Sequence, residues 1–340
     1  MEFFMMKKTA IALGIAALAC GAQAAEVFKN ADTAIEVNAD LQFYNLSTVE
    51  AADGQARNYI QGIGTQIQFK ASKIISDDLT VFGQIEFDPD PVGDNATVLT
   101  DDMKFGLTSK TWGTVQMGQF DTFMEDELME IANSFDITGN TLVSEPAAGN
   151  DGRHLLYKHK LGDFAFGVDW TSGYNAASSA TDGTNGLALT VTYTSGGLKL
   201  AAGTSTIARY KADTYAANSS KAAMGVGASY VLKTDAGSTK FAYLYATNTS
   251  YSTTAAYDGL DTTYGMLSVH HTMGPWGIGI IGNTVDNAKT STVAAYTAQQ
   301  SGVQVTYDLG KGAKLYAANA NKGVNGNKGN FAEVGFLMAF

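Results

Sequence analysis

Residues 331–340, FAEVGFLMAF, carry the pattern from which the fold can be read. Every second residue is apolar, in the series Ala332, Val334, Phe336, Met338 and Phe340. Because successive side chains of a strand point to opposite faces, one face meets an apolar medium while the other tolerates Glu333. A closing strand of an outer-membrane barrel has this form, and its terminal aromatic residue, here Phe340, serves as an assembly signal. We therefore predict that this segment closes a transmembrane β-barrel.

The amino terminus predicts export. Lys7 and Lys8 precede an apolar run over residues 10–20, and the AQA triplet at 22–24 has the small-x-small form of a signal-peptidase site. The apolar run is too short to span a membrane as a helix. We expect a signal peptide over residues 1–24.

Composition is consistent with a single barrel domain over residues 25–340. Cys20 is the only cysteine and lies within the predicted signal, so the exported domain has no disulfide. A lipoprotein signal that uses Cys20 is the alternative, although the residues before it fit such a site poorly. The chain has 33 acidic against 22 basic residues, which argues against a nucleic-acid partner. Mean hydropathy is −0.05, as expected when lipid-facing and lumen-facing residues alternate.

Alternating segments predict about sixteen antiparallel strands. The first runs over residues 35–43, where Ile, Val, Ala, Leu and Phe alternate with Glu, Asn, Asp and Gln. Short connections rich in Gly, Asp and Ser alternate with long ones along the whole chain. Outer-membrane barrels place short turns in the periplasm and long loops outside, and a soluble β-sandwich has no reason to sort its loops this way. The predicted fold class is therefore all-β, a transmembrane antiparallel barrel with long extracellular loops.

Two segments resemble the Gram-negative porin family. One is FGL at 105–107 followed by WGTVQMGQ at 112–119, which is similar to the hairpin leading into the family's third loop. The other is the final strand. The resemblance implies a homotrimer in the outer membrane, in contact with lipid and lipopolysaccharide. It also implies that each barrel has its own pore, narrowed by an inward-folded third loop, through which small hydrophilic solutes and ions diffuse without a cofactor.

Residues 120–152 form the longest predicted connection, and long loops often carry function. The segment has no Lys or Arg, and residues 125–133 within it are predicted to form a short helix. Its candidate constriction carboxylates are Asp121, Glu125, Asp126, Glu127, Glu130 and Asp136. In a narrow wet pore such charges favour cations. A solvated acidic loop outside the barrel is the alternative that the residues alone leave open.

The pore wall facing this loop is predicted to be only weakly basic. Enteric members of the family have a cluster of arginines there, whereas the only arginines of this chain are Arg57, Arg153 and Arg209. The candidate wall residues are the basic Lys70, Lys104, Arg153 and Lys158 and the polar Gln66, Gln68 and Gln116. The enteric loop's Pro-Glu-Phe-Gly-Gly turn is also absent, and residues 133–136 are the nearest stretch. We expect a cation-preferring pore.

Other functions receive less support from the sequence. A substrate-specific channel of the same fold is one alternative, and a barrel enzyme or a plugged structural or adhesive barrel is another. No Ser–His arrangement is evident, and we expect no catalytic residues. His270 and His271 are adjacent, so on a strand they point to opposite faces and do not share a metal ion. We expect neither a metal nor a cofactor.

Overall fold

The structure, a computed structural model, describes most of the chain and contains little besides strands. The described residues are 25–49, 56–61, 65–89, 98–132, 153–175, 182–211, 217–252, 260–287, 296–324 and 327–339. The predicted signal peptide, the terminal Phe340 and residues 133–152 lie outside them. No helix among the described residues is long and apolar enough to cross a membrane.

Eighteen strands follow one another through these described ranges. The first nine are β1 (Ala25–Lys29), β2 (Thr33–Val49), β3 (Ala56–Gln61), β4 (Gln66–Ile74), β5 (Leu79–Pro89), β6 (Val98–Ser109), β7 (Gly113–Gln119), β8 (Arg153–Leu161) and β9 (Phe164–Asn175). The others are β10 (Asp182–Ser195), β11 (Leu198–Lys211), β12 (Ala217–Thr234), β13 (Gly237–Ser252), β14 (Leu260–Met273), β15 (Trp276–Asn287), β16 (Tyr296–Gly310), β17 (Ala313–Val324) and β18 (Asn327–Ala339).

Antiparallel pairing of neighbours closes these strands into a barrel. β18 pairs with β2, with Ala339 opposite Asp40 and Asn330 opposite Val49. β3 and β4 both pair with β2 and together form one interrupted barrel strand. β1 is an extra strand that pairs with the beginning of β2. The barrel therefore has 16 strands, and the predicted all-β antiparallel barrel is confirmed.

Side chains alternate between the two faces of the barrel wall. On β18, Val334 is 64% exposed on the outer face and its neighbour Glu333 is 1% exposed on the inner face. The inner face of β11 to β14 carries small or apolar side chains, whereas that of β2 to β7 is polar. Apolar outward residues suit contact with lipid, because lipid tails cannot satisfy polar groups.

A buried network joins the last strands to the first on the inner face. Gln42 on β2 donates through Nε2 to the hydroxyl of Tyr316 on β17 at 3.0 Å, and that hydroxyl donates to Glu333 on β18. The ring of Tyr316 lies over Gly335, where any added Cβ would collide with it. Three strands are thus tied together where the barrel closes.

Short turns join the strands at one end of the barrel. Between β10 and β11 only Gly196 and Gly197 intervene, at φ 58° and 92°. Left-handed backbone at both positions of a two-residue hairpin is favourable for glycine and costly for other residues. We call this end of the barrel the short-turn end.

Candidate functional site

The chain does not continue along the wall after β7 but crosses the barrel interior. Residues 120–132, called the loop segment below, contain the helix α1 (Phe123–Glu127) and a 3-10 turn (Met129–Ala132). Thr122 caps α1 by accepting a hydrogen bond from the backbone N–H of Glu125 at 3.2 Å. The helix therefore begins two residues before the predicted 125–133, because the threonine that caps it lies in the unpatterned stretch after β7.

The loop segment packs on a surface of small residues. Met124 and Leu128 are fully buried, and they face Gly203 on β11 and Gly225 on β12. At Gly227 an added Cβ would lie 2.6 Å from Cγ2 of Ile131, so a larger residue does not fit there. Since these glycines lie on the inner face of the wall, the segment lies inside the barrel against β9 to β14.

A buried polar group lies beside the first residue of the segment. Phe120 is 1% exposed, and its ring centroid is 5.3 Å from that of His154 on β8. Nδ1 of His154 lies 3.1 Å from Oδ1 of Asp169 and 3.0 Å from the hydroxyl of Thr171, both on β9. This group fixes the two strands near the place where the chain leaves the wall.

A polar cavity of about 320 Å³ lies between the loop segment and β5 to β8. We call it the lumen cavity. Its lining consists of the carboxylates Asp102, Asp121 and Asp126, the cations Lys104 and Lys158, the polar Gln84, Gln116, Thr108 and Thr114, and the ring of Phe82. Acidic groups from the segment thus face basic groups of the wall across this cavity.

The charges of this cavity are coupled. Lys104 forms an ion pair with Asp102 of the same strand, with 2.7 Å between Nζ and Oδ2. Enclosure by the barrel wall raises the pKa of Asp126 to about 6, although its side chain is open to the lumen. Lys158 and Lys104 oppose that increase, whereas Glu130 and Glu127 add to it.

The structure gathers part of the predicted site. Asp121, Asp126, Lys104, Lys158 and Gln116 share the lumen cavity. Lys70 lines a smaller adjoining cavity of about 140 Å³. Gln66 and Gln68 lie on the same inner face of β4. Gln68 accepts a hydrogen bond from Asn38 at 3.1 Å and donates to Glu86 at 2.5 Å.

Other predicted residues lie elsewhere. Glu125 is 7% exposed and buried within the segment, so it is not grouped with the lumen carboxylates. Glu127 turns away from the lumen cavity, and its Oε2 lies 2.8 Å from Nζ of Lys199 on β11. Glu130 lies within electrostatic range of Lys240 on β13. Asp136 lies outside the described residues, and Arg153 belongs to β8 by its backbone.

Lys199 and Lys240 were not among the residues predicted for the site. Each lysine lies an even number of residues from the small inward residues of its strand. The alternation along the strand therefore predicts that both lysines face the lumen. The prediction instead placed all basic residues on the wall before and just after the loop. Among the described residues, no group of three His, Cys, Asp or Glu side chains has the geometry to hold a metal ion.

A family model described as Gram-negative porin matches residues 9–327. The chain belongs to the Gram-negative porin family. A "Monosaccharide porin" of Halomonas sp and a "Major outer membrane protein" of Halomonas elongata are each 33% identical to this porin over 144 residues. Each match covers 39% of this porin and 39% of the relative, so the matched region spans about two fifths of the curated proteins' length.

Solved outer-membrane barrels superpose on most of this porin. The anion-selective porin from Comamonas acidovorans gives a TM-score of 0.70 at 15% identity, covering 91% of this chain and all 100% of its own. OmpF of Salmonella typhi in complex with daunomycin gives 0.70 at 17%, with 93% and 100% covered. The trimer form of OmpT from Vibrio cholerae gives 0.69 at 13%, with 91% and 100% covered. At these identities the likeness shows a shared fold.

Family membership and fold agree on the kind of protein. It is a β-barrel of the porin family in the outer membrane of a Gram-negative bacterium. Short turns of such barrels face the periplasm, so the short-turn end is the periplasmic end.

Proposed function

We propose that this porin is a passive diffusion channel for small hydrophilic solutes and ions, with a preference for cations. Its narrowest part is the lumen cavity, between the loop segment and the wall lysines. The observation that carries the proposal is the opposition of Asp121 and Asp126 to Lys104 and Lys158 across one water-accessible space. In a pore surrounded by low-dielectric protein, such charges act over several ångströms with little screening.

The sign of the preference follows from the balance of charge. Three carboxylates and two lysines line the cavity, and the ion pair of Lys104 with Asp102 leaves Asp121 and Asp126 facing Lys158. Asp126 is mostly ionised at pH 7.5, since its pKa is about 6. The excess negative charge attracts cations and lowers the local concentration of anions.

The test is the reversal potential of the refolded porin in a planar bilayer under a tenfold KCl gradient. We expect a potential directed by K⁺, and a clear shift towards zero in Asp121→Asn/Asp126→Asn. Asp77→Asn/Asp163→Asn is the matched control, because it also removes two carboxylates, from exposed positions in the short turns after β4 and β8 and outside the lining of the cavity. A potential directed by Cl⁻ in the unmodified porin, or equal shifts in the two variants, would refute the proposal.

A sugar-selective channel is the second candidate. The Halomonas relative is named a monosaccharide porin, and the lumen cavity offers amide and hydroxyl groups beside the ring of Phe82. Hydroxyl groups of a sugar can exchange hydrogen bonds with such a lining. Glucose added to a single open channel would then reduce the ion current in a saturable manner. A linear decrease that follows bulk viscosity would favour the unselective channel.

We also propose that the porin is a homotrimer surrounded by lipid and lipopolysaccharide. The trimer form of the structurally similar OmpT supports this assembly, as does the wide apolar outer face. An open barrel, unlike a plugged one, conducts as soon as it inserts. Three equal closing steps per inserted particle would support a trimer of open pores, whereas folded protein without conductance would support a plugged barrel.

A further inference from the structure

A group of basic side chains lies on β11 to β14, on the other side of the loop segment from the lysines of the lumen cavity. Lys199 on β11, Lys233 on β12, Lys240 on β13 and His270 on β14 all occupy inward positions near the periplasmic end. We call them the lysine patch. We propose that the lysine patch is a binding site for small multivalent anions entering from the periplasm. The site lies across the loop segment from the lumen cavity and goes beyond the proposed diffusion function.

Strand register brings the four side chains together. Lys240 is directly opposite His270, and Lys233 is opposite Ser238, two residues before Lys240. Lys199 is opposite Ser229 on β12, while Lys240 is opposite Val231 on the same strand. Neighbouring strands lie about 4.8 Å apart and residues rise about 3.4 Å along a strand, so Lys199 and Lys240, two strands and two residues apart, start about 12 Å from each other. Their long side chains can converge on one anion. Lys240 lies within electrostatic range of Lys199.

The patch remains accessible although it lies beneath the loop segment. Nζ of Lys199 is 2.8 Å from Oε2 of Glu127, yet the two side chains are 29% and 31% exposed, so solutes in the lumen can reach the pair. Lys233 is exposed, and Lys240 and His270 are partly exposed. The acidic groups near the patch are Glu127, Glu130 and the turn residue Asp235.

Lysines attract anions as mobile point charges and do not fix the geometry of an acceptor. A single chloride gains little from them at moderate salt, because screening acts over about 10 Å at 0.1 M. An ion with three or four charges competes with the Glu127 carboxylate for Lys199 and interacts with Lys233 and Lys240 at the same time, so it gains correspondingly more. The expected ligand class is therefore a compact polyanion, and a monovalent anion is not expected to be retained.

The position of the site makes its effect one-sided. Lys233 lies beside the short turn between β12 and β13, so an anion from the periplasm reaches it before the loop segment, whereas an anion from outside must first pass the carboxylates of that segment. Inorganic tripolyphosphate added on the periplasmic side is therefore expected to block the K⁺ current at a several-fold lower concentration than from the other side. Acetate at equal ionic strength is not expected to block from either side.

The test measures block by tripolyphosphate from each compartment in 0.1 M KCl, for single inserted porins. Isothermal titration of the detergent-folded porin with the same ion measures binding without regard to orientation. The variant is Lys199→Gln/Lys233→Gln/Lys240→Gln. The matched control, Lys29→Gln/Lys73→Gln/Lys110→Gln, removes the same charge from exposed positions at the same end of the barrel, away from β11 to β14.

In the unmodified porin and in the control we expect block from the periplasmic side only, together with measurable binding. In the patch variant we expect both the block and the binding to be at least tenfold weaker. Equal block from both sides, or equal loss in the variant and the control, would overturn the proposal. The K⁺ preference is measured in the same bilayers before tripolyphosphate is added. Failure of the cation-selective channel is thereby distinguished from failure of the anion site.

Discussion

Asp126 is a residue whose charge changes within the physiological range of pH. Its pKa is about 6 because the surrounding barrel wall disfavours the charged form, with Glu130 and Glu127 adding to the effect. Lys158 and Lys104 limit the increase. The carboxyl is therefore ionised above pH 6 and neutral below it, so its contribution to cation attraction is present at pH 7.5 and lost on acidification.

We predict that the K⁺ preference falls as pH is lowered from 7.5 to 5, with a midpoint near 6. Reversal potentials at fixed KCl gradient measure this change. Asp126→Asn should show the same low K⁺ preference at every pH in this range, without a step near pH 6. A step of the same size in that variant would assign the titration to another group.

Gly227 on β12 lies directly beneath the side chains of the loop segment. The absence of a side chain lets Ile131 approach the wall, and a Cβ added at this glycine would also lie 3.1 Å from Cδ1 of Leu128. We predict that Gly227→Leu displaces the loop segment and costs about 1–3 kcal/mol of packing free energy, as overfilled sites do. Single-channel records should show altered conductance and larger current fluctuations. Gly282→Ala on β15, where an added Cβ meets nothing closer than 4.0 Å, is the control and should behave as the unmodified porin.

At the scale of elements, the closing network of β2, β17 and β18 concentrates buried polar groups at one seam. Tyr316→Phe removes the hydroxyl that joins Gln42 to Glu333. Because both groups then lose a partner inside the wall, we predict a loss of about 1–3 kcal/mol. When samples are heated stepwise before denaturing gel electrophoresis, the temperature at which the band of the folded porin disappears should fall. Tyr243→Phe, on the exposed outer face of β13, should leave it unchanged.

The same scale shows what the sequence could predict. Strand existence and alternation followed from residues such as Glu333 and Val334, because lipid and lumen impose opposite polarity on neighbouring positions. β1 and β3 escaped prediction, and β2 extends beyond the predicted 35–43 to Thr33–Val49. Beyond the apolar belt both faces of a strand meet polar surroundings, so the alternation that reveals a strand is absent there. The partners of Glu127 and the burial of Glu125 depend on how the loop segment crosses the lumen, which no local pattern encodes.

At the scale of the whole molecule, charge is unevenly distributed around the lumen. Carboxylates of the loop segment face lysines on both walls, Lys104 and Lys158 on one side and Lys199 and Lys240 on the other. A polar solute crossing this level is exposed to a transverse field as well as to a size limit. Both walls therefore contribute to selectivity, and a variant of either one tests only half of it.

The apolar packing of the loop segment against the wall makes the size limit of the pore independent of its ion selectivity. Met124, Leu128 and Ile131 hold the segment by burial of apolar surface, and moderate salt does not weaken that interaction. The discrimination between K⁺ and Cl⁻ instead depends on charges that added electrolyte screens within about 3 Å at 1 M. A porin in a cell that moves from dilute to saline water would thus keep its size exclusion limit and lose its preference for K⁺ over Cl⁻. Swelling of porin-containing liposomes in sugars of graded size should give one exclusion limit at low and high salt, even as the reversal potential declines towards zero.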